Sequence, residues 1–267
     1  MADGGLSGFL RSRRARVTPE SAGLRGGSRR RVPGLRREEL AQLAGISVEY
    51  YQRLEQGRAS HPSDDVLDAI ADALRLDTVE RDHLRALTQR PRCSPLVASA
   101  VRPELRRMLD RIDRVAALVI NDRFDVLAAN ALAIQLFGEH ENLARALFLH
   151  QSAREFYLEW EEVAAATVAQ LRLAAGRYRD DEDVAELVAE LSGQSEEFRR
   201  LWDTGNVDLR AFGSKGFQHP EVGALTLNYE NFDLPRDARQ RLVTFTPAAG
   251  STTEAALQLL VARHRQP

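Results

Sequence analysis

The sequence predicts an α+β chain in two domains. An all-helical, five-helix domain occupies 1–90, a linker 91–102, and an α+β domain with an antiparallel sheet 103–267. Three observations carry this. Before residue 90, apolar residues recur at helical spacing in five short segments punctuated by Ser, Thr, Pro or Gly. QRPRCSP at 89–95, with two prolines, breaks the pattern. Beyond it, short runs of two-residue alternation stand among longer helical stretches.

The first helix is read over 5–16, with Leu6, Phe9 and Leu10 on one face, and Thr18-Pro19-Glu20 ends it. Residues 23–34 are rich in Gly and Arg and read as an arm. Arg29, Arg30 and Arg31 either follow DNA phosphates or a minor groove, or form a solvated charge run. The segment from Arg36 to Arg58, RREELAQLAGISVEYYQRLEQGR, reads as helix, turn and helix. Glu38 to Ala44 is the first helix, Gly45 takes the left-handed turn that a residue without Cβ tolerates, and Ser47 caps the second. That helix stops at Gly57. Tyr51 and Leu54 face inward, which leaves Glu49, Tyr50 and Arg53 outside, where a recognition helix carries its base contacts. Ser63 caps a fourth helix and Thr78 a fifth.

In the second domain, residues 103–113 read as a helix. Two apolar runs split by Asn121-Asp122 form a hairpin, and Asn130 caps the helix that follows. Helices are expected over 142–149, over 154–175 as one long element, and over 181–192 and 195–203. Two strands meet at His219-Pro220, RLVTFTP at 241–247 is a further strand, and a terminal helix begins at Ser251 or Thr252.

The spacing of Leu40, Ala41, Ala44, Gly45, Ser47, Tyr51, Leu54, Glu55 and Gly57 resembles the Xre, or phage-repressor-like, helix-turn-helix. The longer string VPGLRREELAQLAGISVEYYQRLEQGR resembles one subgroup, the MmyB-like bacterial transcription regulators. VLAANALAIQLFG, EFYLEWEEV, SEEFRRLW, KGFQHPEVGALTLNYE and RLVTFTP extend that resemblance over the C-terminal half, whose opening is similar to a PAS-like domain.

The resemblance implies sequence-specific binding of double-stranded DNA. Arg36 and Arg37 would contact phosphates at the start of the motif's first helix, and Ser47, Val48, Glu49, Tyr50 and Arg53 would face the groove. Arg53 is the expected guanine contact and Glu49 a cytosine contact. Val48 or Tyr50 would touch a thymine methyl, unless Tyr50 packs on Tyr51, and Gln56 and Arg58 would meet the next phosphates. One such motif reads few base pairs, so a homodimer on an inverted repeat is expected.

For the C-terminal half, the resemblance implies a small apolar, fatty-acid-like ligand in at least some members. Candidate walls are Phe137, Phe148, Phe156, Trp160, Phe217, Leu227 and Phe245, with Asn130, Arg154 and Arg172 as carboxylate anchors. The alternative is a ligand-free protein-interaction and dimerisation module, with Phe198, Leu201 and Trp202 as anchors.

Bulk properties agree. In 267 residues the net charge of −2 divides unevenly: residues 1–58 hold twelve Arg against six acids, +6, and the rest carries −8. Lys215 is the only lysine. One cysteine, Cys93, fits a cytoplasmic protein, and no run approaches a membrane span. The six histidines are scattered, without HExxH, CxxC, GxSxG or a phosphate loop, so neither enzyme activity, metal nor cofactor is expected.

Overall fold

The computed structural model describes residues 5–24, 34–59, 62–88, 100–178, 181–208, 211–234 and 239–264. The chain divides into two compact units. The first holds residues 1–93 together with 168–185 and 200–208; the second holds 94–167, 186–199 and 209–267.

The first unit contains α1 (Leu6–Arg16), α2 (Arg37–Leu43), α3 (Val48–Glu55), α4 (Asp64–Ala73) and α5 (Thr78–Thr88). Their apolar stripes converge on Phe9, Leu10, Leu40, Tyr51, Leu54, Ile70 and Leu84, all buried. The turn after α2 forms as its glycine requires. Gly45 has φ +65°, its N–H donates to Gln42 O, and Ile46 N–H donates to Ala41 O, the paired bonds of a left-handed C-cap. Ser47 Oγ accepts from Tyr50 N at 3.1 Å and starts α3. The fifth helix is capped by Asp77 rather than by Thr78. Glu80 N donates to Asp77 Oδ1 at 2.8 Å and Asp77 N to Glu80 Oε2 at 3.2 Å, a reciprocal pair that Thr78, with Arg81 three residues on, could not complete.

The second unit is built on an antiparallel sheet in the order β2-β1-β5-β4-β3. The strands are β1 (Ala116–Asn121), β2 (Val126–Ala129), β3 (Phe212–His219), β4 (Gly223–Asp233) and β5 (Gln240–Pro247). One face carries Leu118, Phe217, Leu227, Tyr229 and Phe245 against α7 (Ala131–Phe137) and α13 (Thr252–His264). On the other face, Leu105 and Leu109 of α6 (Pro103–Leu109) cover Ala117, Val119 and Ala128. The element α8 (Leu143–Leu149) follows α7.

Residues 154–175 are not one helix. They form α9 (Ser152–Phe156) and α10 (Trp160–Arg177). The break falls where the backbone bonds elsewhere: Tyr157 bridges to Phe217, and Leu158 N donates to Gly216 O at 3.1 Å. Glu159 Oε2 accepts from Gly216 N at 3.1 Å. These partners lie on β3, far along the chain, and override a locally helical pattern. The remaining helices are α11 (Glu182–Gln194) and α12 (Glu196–Asp203). No helix among the described residues is long and apolar enough to cross a membrane.

Two polar clusters hold the second unit's loops. Asn130, almost fully buried, accepts from Ala117 N and Ala133 N and donates to Ile112 O and Val115 O at 2.7–3.0 Å. Asn130→Ala therefore removes a cap and strands several backbone groups. The expected loss is about 3 kcal/mol of unfolding free energy, read from urea denaturation.

Asp125 takes hydrogen bonds from Asn121 and Asn142 at 2.7–2.8 Å and pairs with Arg123 at 2.8 Å. Burial alone would raise its pKa, but the two asparagines and Arg123 outweigh it, and the carboxyl lies below its ordinary value. Its stability contribution is therefore complete above about pH 4 and lost as pH falls through the folded value. Asp125→Asn should unfold at lower urea than the parent at pH 7, and the gap should close in acid.

Candidate DNA-binding face and ligand cavity

The second helix of the motif, α3, presents two distinct faces. Tyr51, Leu54 and Glu55 are buried, while Ser47, Glu49, Gln52, Arg53, Gln56 and Arg58 are exposed. Val48 and Tyr50 are half-buried and pack against the core edge. The Arg53 guanidinium lies 5.7 Å from the Tyr50 ring centroid, so the two side chains form one cationic and aromatic patch. Arg36 is exposed at the N-cap of α2, and its backbone N–H is already bonded to Glu39 Oε2 at 2.7 Å. Arg29, Arg30 and Arg31 lie outside the described residues.

Beneath this face sits a charged knot. The Glu55 carboxylate, 1% exposed, pairs with Arg14 Nη2 at 2.8 Å and with Arg37 Nε. Tyr51 Oη donates to it at 3.4 Å, and Arg14 Nη1 donates to Leu35 O at 2.8 Å. The hydrogen bond and charge of Glu55 raise the Arg37 pKa. Burial, followed by the charge of Glu55, raises the Tyr51 hydroxyl well above its usual range. Arg37 thus spends Nε on the interior, while its side chain remains 43% exposed.

The same unit holds two buried arginines from distant parts of the chain. Arg13 pairs with Glu80 at 3.1 Å, lies 5.0 Å from the Phe9 ring and donates to Gly205 O. Arg172 lies 4.4 Å over the Trp202 ring. Burial lowers both pKa values to about 10, so both stay charged at neutral pH.

In the second unit, a cavity of about 430 Å³ opens between β3, β5, α8 and α9. Four of the sequence-predicted wall residues line it: Phe137, Phe156, Phe217 and Phe245. Their rings touch, at centroid separations of 4.7 Å for Phe137–Phe245 and 5.3 Å for Phe156–Phe217.

The other expected residues fall elsewhere. Phe148 packs on Trp160 and Phe198 at 5.9 and 5.1 Å, and Leu227 is sealed in the sheet core. Asn130 has spent its polar atoms on backbone groups. Arg154 stacks over Trp160 at 3.8 Å, and Arg172 belongs to the first unit. None of the three expected carboxylate anchors reaches the cavity. Of the anchors of the interaction-module alternative, Phe198 and Trp202 are buried and Leu201 is half-buried.

Sequence reasoning missed the cavity's polar lining: His140, His150, Ser152, Glu155, Tyr157, Lys215 and Gln218. Burial pushes the Tyr157 hydroxyl up to about 12, so it remains a neutral donor. For Lys215 a signal existed. In FGSKGFQH, strict alternation puts Lys215 on the same side as Phe217.

Comparison with known families gives two matches. The MmyB-like transcription regulator ligand binding domain matches residues 101–260. A helix-turn-helix domain matches residues 6–84. No curated protein matches the chain.

Replacing Glu55 by Gln removes the charge that two guanidiniums share. Because a buried ion pair broken on one side leaves the other side uncompensated, the variant should lose about 3 kcal/mol of stability. Thermal melts of parent and variant give the readout, and coincident melts would show that the knot contributes no net stability.

Proposed function

We propose, for a chain that belongs to the MmyB-like transcription regulators, that it is a DNA-binding regulator whose operator affinity is set by a small apolar ligand in its second unit. The helix-turn-helix and ligand-binding matches support the regulator. The observation that carries the DNA-binding reading is the division of α3, with an anchored Tyr51, Leu54 and Glu55 opposite an exposed Ser47, Glu49 and Arg53.

In this reading α3 enters the major groove of a double-stranded, inverted-repeat operator bound by a cytoplasmic homodimer. Arg53, laid along the Tyr50 ring, reaches guanine O6 and N7. Glu49 accepts from a cytosine amine, and Val48 and Tyr50 meet a thymine methyl. Ser47 faces the groove beside them, and Gln56, Arg58, Arg36 and the exposed part of Arg37 meet the flanking phosphates. The phenylalanine-lined cavity supports an apolar, fatty-acid-like ligand, its volume lying within the range of small-molecule pockets. Of the three anchors of a ligand-free interaction module, Phe198 and Trp202 are buried and Leu201 is half-buried, which favours the ligand reading over that alternative.

Selection of DNA by the purified full chain, repeated after delipidation, tests both halves. One enriched inverted repeat, bound with different affinity before and after delipidation, is expected. Recovery of no preferred sequence would overturn the DNA reading. On the selected site, Arg53→Ala should cost about 1–3 kcal/mol and relax one base position. An equal loss on all sequences would reassign it to a phosphate. Arg36→Ala is the cleaner phosphate test because Arg37 also pairs inside. It should weaken all DNA alike and lower the salt slope by about one unit.

A further inference from the structure

Of the two buried arginines in the first unit, only one has an anionic partner. Arg13 of α1 has Glu80 at 3.1 Å and the Gly205 carbonyl. Arg172 of α10, 6% exposed, has neither. Its guanidinium lies 4.4 Å over the Trp202 ring of α12. Among the described residues Arg172 makes no hydrogen bond and no ion pair, and its Nε is buried without an acceptor. The two terminal nitrogens are not sealed in this way, so that edge stays open to solvent. The surrounding charges do not balance it. The charge of Arg13 lowers the Arg172 pKa, and the carboxylate that acts the other way, Asp203, is exposed, where water screens it. Around Arg13 itself, Asp77 is offset by Arg16 and spends an oxygen on the cap of α5. Arg13 Nη1 is also buried without an acceptor.

We propose that Arg172, reinforced by the charge of Arg13, binds a tetrahedral oxyanion, free phosphate or a phosphate monoester, within the helix-turn-helix unit. An aromatic face attracts a guanidinium but offers no acceptor to its five N–H donors. A methionine would fill the same place without the cost of burying a charge. The planar fork of Arg172 takes two phosphate oxygens at once. The bound anion relieves the like-charge pair and, by binding only the folded state, stabilises the unit that carries α3. This site is independent of the cavity, whose lining belongs to the second unit.

The test uses the full chain, free of DNA, in chloride buffer at constant ionic strength. Inorganic phosphate and, separately, glycerol phosphate are titrated in while tryptophan fluorescence and melting temperature are followed. A saturable response in the millimolar range is expected with at least one of them, and the tighter names the source. Generic stabilisation by phosphate, which is excluded from protein surfaces, does not saturate and survives mutation. Arg172→Met should weaken the saturable response at least tenfold and melt no lower than the parent in chloride. No saturable response in the parent overturns the proposal. So does a parent-like response in Arg172→Met, since phosphate then binds elsewhere, the exposed face of α3 included. A much lower melt of Arg172→Met in chloride overturns it too, because the Trp202 ring then suffices as the partner of the guanidinium.

Discussion

The exposed face of α3 depends on one buried carboxylate. Glu55 takes Arg14 from α1, Arg37 from α2 and the Tyr51 hydroxyl one turn back on α3. Arg14 also donates to the carbonyl of Leu35, which fixes the chain entering α2. Four parts of the chain are thus registered on a single charge. An apolar residue could fill the space, but it could not set direction. Hydrophobic contacts tolerate a sliding helix, whereas a carboxylate with several defined donors does not. This register is what keeps Ser47, Glu49 and Arg53 on the outer face, and it exacts a cost from the same surface. Arg37, expected at the phosphates, gives its Nε to the interior.

The second unit solves a similar problem with amides. Asn130 ties the end of β2 to the start of β1, to Ile112 and Val115, and to the first turn of α7, all with one side chain. Neutral amide bonds suit this place because the partners are backbone groups that would otherwise be buried unpaired. The sheet that results is packed tightly where α7 and α13 lie on it. Toward its β3 edge it is covered by α9 and the short extended link at Tyr157–Glu159. That link bonds to the β3 backbone at Gly216 and Phe217. A five-residue helix fills less space than a long one, and the cavity lies beneath it.

Most of the first unit was legible because its determinants are local. Gly45, Ser47, Ser63 and the spacing of Tyr51 and Leu54 act within a few residues and fold as local rules require. In the second unit the hairpin, the Asn130 cap and the strands were legible for the same reason. Apart from the cap of α5, which falls one residue earlier than expected, the failures are non-local. The break in residues 154–175 depends on Gly216, 57 residues beyond Glu159. Arg154 and Arg172 carry a charge suited to a carboxylate, but helical spacing does not say which neighbour an arginine meets, and each meets a tryptophan. Lys215 was legible in principle, since strand alternation in FGSKGFQH places it on the same side as Phe217.

Packing around Arg13 changes what counts as the DNA-binding part of this protein. The ligand-binding family match begins at residue 101, yet residues 168–185 and 200–208 fold in the same compact unit as the helix-turn-helix. Val207 is part of that unit's hydrophobic core, Leu173 packs against it, and Gly205 supplies the carbonyl that accepts from Arg13. Arg13 is 2% exposed and charged at neutral pH, because its pKa, though lowered by burial, is still about 10. Glu80, the Phe9 ring and the Gly205 carbonyl together compensate that charge. A chain ending near residue 93 keeps the exposed face of α3 but loses the Gly205 carbonyl, Val207 and the cover over a charged guanidinium. Glu80 and the Phe9 ring would stay with Arg13, but the apolar surface that Val207 and Leu173 cover would be open to water, at a cost in stability. The boundary drawn by sequence similarity therefore does not coincide with the unit that folds, and the segments around Leu173 and Gly205 belong physically to the helix-turn-helix.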